Sequence, residues 1–144
     1  MSKQTNIVVV SLILLIALTI YFAYKWANHD KIELDGSTIS KVTMCYVSPI
    51  CDSTVLLTRQ QTEDFVNKWN KSTSLGYNKY QCQYYVEVYL TNNNKRLFCT
   101  SQDKILEGST NGWIFSIGDK NYFDSLYEIN KATLAKHETD NHKR

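Results

Sequence analysis

Residues 82–100, CQYYVEVYLTNNNKRLFCT, decide the fold because they predict a β-hairpin. Side chains along the first half would alternate between two faces, one of which carries Cys82, Tyr84, Val86, Val88 and Leu90. Alternation of this length is typical of a half-buried β-strand. The asparagines at 92–94 predict the turn, since Asn tolerates a positive φ angle. Residues 96–100 then form the return strand.

The rest of the domain predicts more strands and two helices. Before the hairpin, two strand-like runs at 41–47 and 53–57 flank a turn with the only proline, and a helix follows at Thr58. Gln61 completes a capping box, and an apolar stripe continues the helix through Thr62, Phe65, Val66 and Trp69.

After the hairpin, short runs at 105–106 and 113–116 flank a tight Asn111-Gly112 turn, and Asp119 can cap a last helix. Short turns between consecutive strands predict an antiparallel sheet. We therefore predict an α+β fold with three or four strands after the first helix, two helices packed on the sheet and a cystatin-like outline.

The N-terminal segment 7–24, IVVVSLILLIALTIYFAY, contains no charge, Pro or Gly. About eighteen such residues predict a single N-terminal transmembrane helix in contact with membrane lipid. A cleaved signal peptide is the alternative, but Tyr21 or Lys25 would then occupy the −3 position of the cleavage site. We therefore expect an uncleaved anchor.

The domain organisation follows from these segments. We predict a membrane anchor at 1–26, a juxtamembrane linker at 27–36, the α+β soluble domain at 37–131 and a disordered tail at 132–144, which has nothing to bury. The net charge is only +2, with acids and bases interspersed. Nucleic acid is therefore not an expected partner.

Four cysteines, Cys45, Cys51, Cys82 and Cys99, all lie in the predicted domain. An even number in an exported domain predicts disulfides. Neither close spacing is a C-x2-C pair, so no metal site is expected. Buried free thiols in a cytosolic domain are the alternative, and Lys25 and Lys31 against Lys3 favour that orientation. We predict a domain on the periplasmic side of the inner membrane.

The hairpin also predicts which cysteines can pair. A turn at 92–94 places Leu97 near Leu90 and Cys99 near Val88. Cys82 would then lie about six residues, or about 20 Å, along the strand. Because a disulfide requires Cα atoms within about 7 Å, the pair Cys82–Cys99 is disfavoured. Both cysteines should reach the segment with Cys45 and Cys51, or stay reduced.

The sequence offers no histidine on a predicted core element that could act as a catalytic base. His29, His137 and His142 all lie outside the predicted core elements, so no Ser-His or Cys-His pair is positioned. We predict a protein that is not an enzyme and needs no cofactor. A small envelope hydrolase remains an alternative through its carboxylates, which are Glu63, Asp64, Glu87, Asp103, Glu107 and Asp124.

A partner-binding surface is predicted on the second face of the first hairpin strand, at Gln83, Tyr85, Glu87 and Tyr89. Tyrosine offers a large contact area at low entropic cost, which suits protein recognition. The alternative is that tyrosine merely fits a pleated sheet and that a helix covers this face.

Several short patterns resemble small membrane-anchored or exported bacterial domains: Leu57-Thr58 with Gln61, Phe65-Val66 with Trp69-Asn70, Tyr84-Tyr85-Val86-Glu87-Val88, and Lys95-Arg96-Leu97-Phe98. The likeness covers about 65 residues of structural motifs and does not include the cysteines. It implies a cell-envelope location and a fold rather than an activity.

These observations lead to a functional hypothesis. We expect a membrane-tethered, non-enzymatic protein-binding module, such as an immunity or inhibitor protein against a toxin or hydrolase. The alternative is a bitopic structural subunit of an envelope assembly, in which the helix itself makes contacts.

Overall fold

The computed structural model describes residues 3–27, 31–47, 51, 53–77, 79–108 and 112–141. The chain divides into two compact units, Met1–Asp30 and Lys31–Arg144, which are treated separately below.

The first unit contains helix α1, Lys3–Ala27. Its described side chains, at residues 8–24, are all exposed. Those residues cover about 25 Å at 1.5 Å per residue, against about 30 Å for a hydrocarbon core. In the part of the chain that the structure describes, no helix has the length and hydrophobicity that a membrane crossing requires. The predicted transmembrane helix is therefore wrong.

The described residues of the second unit form seven strands and two helices. The strands are β1 (Ile39–Tyr46), β2 (Thr54–Leu56), β3 (Thr73–Tyr77), β4 (Tyr84–Leu90), β5 (Lys95–Ser101), β6 (Lys104–Glu107) and β7 (Trp113–Ser116). The helices are α2 (Arg59–Lys71) and α3 (Tyr122–Asn141), and a short 3-10 turn precedes β1 at Gly36–Thr38.

All seven strands form one antiparallel sheet in the order β2-β1-β4-β5-β6-β7-β3. The predicted α+β class with an antiparallel sheet is confirmed, whereas the cystatin-like outline stays a prediction. Strand β3 was not predicted, because residues 72–76 indicate the end of a helix. It pairs with the distant β7, through an irregularity between Ser74 and Gly76.

The core lies between one face of the sheet and the two helices. Phe65 and Trp69 of α2 pack edge-to-face on Phe98 of β5, and Tyr127 of α3 packs on Tyr84 of β4. The predicted capping box is present, since the Thr58 and Gln61 side chains each accept a hydrogen bond from the other's backbone amide. Local sequence therefore sets where α2 begins and which side it buries.

The register of the β4–β5 hairpin differs from the prediction. Cys99 lies opposite Tyr85 instead of Val88, a shift of three residues. The turn starts directly after β4, where the Leu90 amide donates to the Asn94 carbonyl (2.8 Å) and Asn93 takes a φ of 65°. The strand partner of Cys99 is therefore much closer to Cys82 than predicted.

The four cysteines form two disulfides, Cys45–Cys51 and Cys82–Cys99, with Cα separations of 5.7 and 5.3 Å. The prediction against the pair Cys82–Cys99 is wrong, because it rested on the shifted register and on a straight strand through Cys82, which precedes β4. Disulfides persist in oxidising compartments, so the two bonds fit an extracytoplasmic environment, as predicted.

Residues 31–34, which lie in the predicted linker, are held against the end of α2. The Lys31 ammonium donates to the carbonyls of Trp69, Asn70 and Ser72, each at 2.8 Å. Trp69 and Asn70 lie in the last turn of α2 and Ser72 is its C-cap, so the ammonium binds the carbonyl end of the helix. Burial lowers the pKa of Lys31, and the nearby Glu33 carboxylate opposes this shift.

The Trp69-Asn70 pair continues this attachment. The Trp69 indole donates to the Ile32 carbonyl (3.0 Å), and the Asn70 amide both accepts from the Leu34 amide (2.9 Å) and donates to its carbonyl (2.8 Å). The Trp-Asn motif at the end of α2 therefore has a structural role, because it fixes the chain that enters the sheet.

Arg96 supplies the second half of the attachment. It forms a two-pronged ion pair with the buried Glu107 carboxylate, at 2.6 and 2.8 Å. Two further N–H groups donate to the carbonyls of Glu33 (2.9 Å) and Ile32 (2.6 Å). A charged group largely removed from water requires hydrogen-bond partners of this kind.

Helix α3 continues into the segment 132–144 that we predict to be a disordered tail, and residues 142–144 lie outside the described residues. The helix continues to Asn141. Its buried contacts end at Asn130, whose side chain donates to the Leu126 carbonyl (2.7 Å). The last turns are therefore helical without contributing described side chains to the core.

We predict that Arg96→Met lowers the free energy of unfolding by about 3–5 kcal/mol, because it leaves the Glu107 carboxylate buried without its partner. The double variant Arg96→Met/Glu107→Met should lose much less, since no buried charge then remains. Urea denaturation measures both. Arg59→Met, which breaks an exposed pair with Glu63, is the control and should cost about 0–1 kcal/mol. Equal losses for the Arg96 and Arg59 variants would contradict this account.

Candidate functional site

The face of the sheet opposite α2 and α3 is the candidate site, and we call it the open face. The aromatic contacts of both helices with the sheet lie on the other face. Strand alternation and register define the residues of the open face: Leu56 on β2, Lys41, Thr43 and Cys45 on β1, Tyr85, Glu87 and Tyr89 on β4, Lys95, Leu97 and Cys99 on β5, and Lys104 and Leu106 on β6.

Pairing across the strands arranges these side chains in three rows. The first row places Tyr85 between Cys45 and Cys99, so that a disulfide cysteine flanks the tyrosine on each side. The second row places Glu87 between Thr43 and Leu97, and the third places Tyr89 between Lys41 and Lys95. Neighbours in a row lie about 4.5–5.5 Å apart, so each row can act as one contact surface.

Glu87 is the electrostatic centre of the open face. Its carboxylate accepts hydrogen bonds from the Lys95 ammonium (2.8 Å) and the Tyr89 hydroxyl (2.5 Å). These two bonds lower the pKa of Glu87, and the bond to Glu87 raises the pKa of both Tyr89 and Lys95. Lys41 completes the group, with its ammonium 4.3 Å from the centre of the Tyr89 ring.

Three of the four predicted partner-binding residues lie together on the open face, namely Tyr85, Glu87 and Tyr89. Gln83 does not join them. Its side-chain amide donates to the Asp124 carboxylate of α3 (2.9 Å), and its carbonyl accepts from the Ser101 hydroxyl (3.3 Å). Asp124 also accepts from the Tyr84 hydroxyl (2.7 Å). Gln83 therefore ties the sheet to α3.

Sequence reasoning missed the apolar part of the open face. Leu56 and Leu97 are 59% and 41% exposed, on strands β2 and β5. Alternation in residues 41–47 could have placed Lys41, Thr43 and Cys45 on one face, but only the register shows that these residues border Tyr85, Glu87 and Tyr89. The prediction recognised one strand of a surface that extends over five.

A hollow of about 560 Å³ lies at one end of the open face. Tyr85, Leu97 and Leu106 line it on the sheet side, and residues 80–82 form a wall. The wall is fixed by the Cys82–Cys99 disulfide and by the Tyr80 hydroxyl, which donates to the Lys104 carbonyl (2.6 Å). Burial raises the pKa of Tyr80, in line with a hydroxyl enclosed by the backbone.

Five of the six carboxylates considered for catalysis have structural partners. Besides Glu87, Glu107 and Asp124, Asp103 accepts from the Ser116 hydroxyl (2.6 Å) and Glu63 pairs with Arg59 (3.1 Å). Within the described residues, no group of three or more His, Cys, Asp or Glu could hold a metal ion. His29 and His142 lie outside the described residues, and only the backbone of His137 is described.

Comparison of this chain with protein-family models, with curated proteins and with solved structures found no match. The functional argument therefore rests on the open face and its chemistry.

We predict that Glu87→Gln lowers the pKa of Tyr89 toward its ordinary value of about 10, because the neighbouring negative charge is removed. Tyr89 should then ionise at a lower pH than in the wild type. A titration followed by NMR of the tyrosine ring carbons measures this. Glu63→Gln, on the exposed face of α2, is the matched control and should leave Tyr89 unchanged. An unchanged Tyr89 pKa in Glu87→Gln would show that the pair does not form in solution.

Proposed function

We propose that this protein is an extracytoplasmic, non-enzymatic binding module that docks a protein partner on its open face. The observation that carries the proposal is the surface formed by the half-buried Tyr85 and the exposed Leu97 and Leu56, on the face opposite the aromatic contacts of α2 and α3. Aromatic and aliphatic side chains next to charged ones are a usual combination in a protein interface. Tyrosine and leucine there offer contact area without a large ordering cost.

The charge of the open face favours an acidic partner. Lys41, Lys95 and Lys104 lie on it, against the single carboxylate of Glu87. Complementary charge mainly speeds association and selects among partners, while the apolar part of the surface supplies most of the affinity. A partner with carboxylates around an apolar patch fits both parts of this surface.

We further propose that the partner is a toxin or hydrolase met outside the cytoplasm, so that the protein acts as an immunity or inhibitor protein. Two features support this. The described domain is small and doubly cross-linked, and its open face is a single rigid surface built on five strands. An inhibitor benefits from such rigidity, because little ordering is required on binding.

We predict that a photo-crosslinking benzoylphenylalanine at position 85 gives a discrete adduct with a cell-envelope protein of the source organism. Position 134 on α3, exposed like the open face, should not give that adduct. Unlabelled wild-type protein should compete for the adduct, and Lys41→Glu should compete roughly tenfold less well, since one complementary charge is reversed. The adduct is measured by gel shift and mass spectrometry.

Two results would contradict the proposed function. One is the absence of a specific adduct at position 85 in a chain whose thermal midpoint matches the wild type. The other is an adduct that forms from position 134 but not from position 85, since that would place the docking surface on α3.

We also propose that membrane lipid contacts the apolar side chains of residues 7–24. The large apolar side chains described in α1, from Val8 to Tyr24, are all at least 46% exposed. Removing apolar surface from water is favourable by about 25 cal/mol per Å². Contact with membrane lipid would therefore remove this large apolar surface from water.

We predict that the full-length chain floats with phospholipid vesicles in a density gradient. Leu14→Lys/Leu15→Lys should reduce the floating fraction at least several-fold, because two charges enter the apolar surface. Leu134→Lys, on α3, is the control and should float like the wild type. A wild-type chain that stays at the bottom of the gradient would contradict the lipid contact.

A further inference from the structure

The hollow on the open face has a mostly apolar floor and an ordered rim. Its sheet side consists of Tyr85, Leu97, Cys99 and Leu106, and Gly108 lies at its border. Leu97 remains 41% exposed there, although it sits on a central strand of the sheet. Concavities of about 300–1,000 Å³ with apolar linings are the usual places where proteins bury a ligand group.

The wall of the hollow is held in place before any partner arrives. The Cys82–Cys99 disulfide links the wall to the floor, with the two Cα atoms 5.3 Å apart. The Tyr80 hydroxyl donates to the carbonyls of Lys104 (2.6 Å) and Ser101 (3.3 Å). The backbone amide of Gln83 donates to the Thr100 carbonyl (2.9 Å). A hollow with a fixed wall binds without first having to order a loop.

The surrounding charges indicate what kind of segment could fill the hollow. Lys104 lies two residues before Leu106 on the same side of β6, and Lys95 lies two residues before Leu97 on the same side of β5. Glu87, opposite Leu97, pairs with Lys95 (2.8 Å), so Lys104 is the lysine at this border whose charge that carboxylate does not offset. An apolar side chain flanked by acidic residues could pack on the apolar floor while its acidic neighbours pair with the lysines at the border.

We infer that the hollow is the anchor pocket of the open face and receives an aromatic side chain from an acidic segment of the partner protein. This inference rests on the proposed function and deepens it. Binding energy at protein interfaces is concentrated where one large side chain fills a desolvated pocket. The hollow then sets which partners bind, while Lys41, Glu87 and Tyr89 form the rim of the interface.

Short peptides test the chemistry of the pocket directly. The probes are three capped pentapeptides, Glu-Glu-Trp-Glu-Glu, Glu-Glu-Ala-Glu-Glu and Lys-Lys-Trp-Lys-Lys, titrated into the full chain and followed by amide chemical shifts. The first should shift the amides of Leu97, Leu106 and Gly108 with a saturable curve. The other two should bind at least tenfold more weakly. Equal binding of the tryptophan and alanine peptides would overturn the inference.

Filling variants test the location. At Gly108, an added Cβ would meet only the Leu97 carbonyl, at an ordinary 3.9 Å, so Gly108→Leu fills the hollow without backbone strain. It should weaken the acidic tryptophan peptide at least tenfold. Gly36→Leu, an equal change with no atom near its added Cβ, should stay within twofold of the wild type. If Gly108→Leu lowers the thermal midpoint, Gln81→Phe fills the hollow from the exposed wall instead.

The crosslink at position 85 separates this inference from the proposed function. Loss of the adduct in Gly108→Leu supports the pocket. An adduct that persists at the wild-type level in Gly108→Leu overturns the pocket and leaves the proposed function standing. If the chain that carries the crosslinker at position 85 and no other change gives no adduct, the proposed function itself fails.

Discussion

The buried ion pair between Arg96 and Glu107 is the interaction on which the rest of the domain depends. It joins β5 to β6, and the spare donors of the guanidinium hold the carbonyls of Ile32 and Glu33. The same short segment is bound by Trp69 and by the amide of Asn70. One charge pair therefore connects the entering chain, two strands and the end of α2. The pair is tolerated in the interior because four hydrogen bonds from Arg96 reach oxygen atoms, two of them on the Glu107 carboxylate.

This arrangement places the helices and the entering chain on one face of the sheet, which therefore faces the core. With α2, α3 and residues 31–34 all on the core side, the open face has no helical cover from these elements. The two disulfides flank Tyr85 on this face, since Cys45 and Cys99 lie on either side of it and link the sheet to Cys51 and Cys82. A covalent link restricts the chain without covering the surface beside it. The result is a cross-linked surface on which Leu56 and Leu97 are exposed and Tyr85 and Tyr89 are half-buried.

Local patterns in the sequence were reliable where the structure is itself local. The capping box at Thr58 and Gln61, the stripe through Phe65 and Trp69, and the alternation along β4 all appear as predicted. Predictions of contacts between residues that are far apart in the sequence were not reliable. The register moved by three residues because the turn closes at Leu90, and β3 formed because β7 offers a partner, not because residues 73–77 carry a strand pattern. Gln83 left the predicted surface because Asp124, forty-one residues away, gives it a hydrogen bond.

By itself, the sequence determined the α+β class, the helix boundaries near Thr58, the two faces of β4 and the presence of disulfides, because each follows from neighbours within one turn or one strand or from a count of cysteines. Only the tertiary structure decided the cysteine pairing, the strand order and which tyrosines share a surface with Lys41 and Leu97. Those features depend on which strands lie side by side. Strand neighbours are selected by the fit of the whole core, through contacts such as Trp69 on Phe98 and Phe115 that no short stretch of sequence contains.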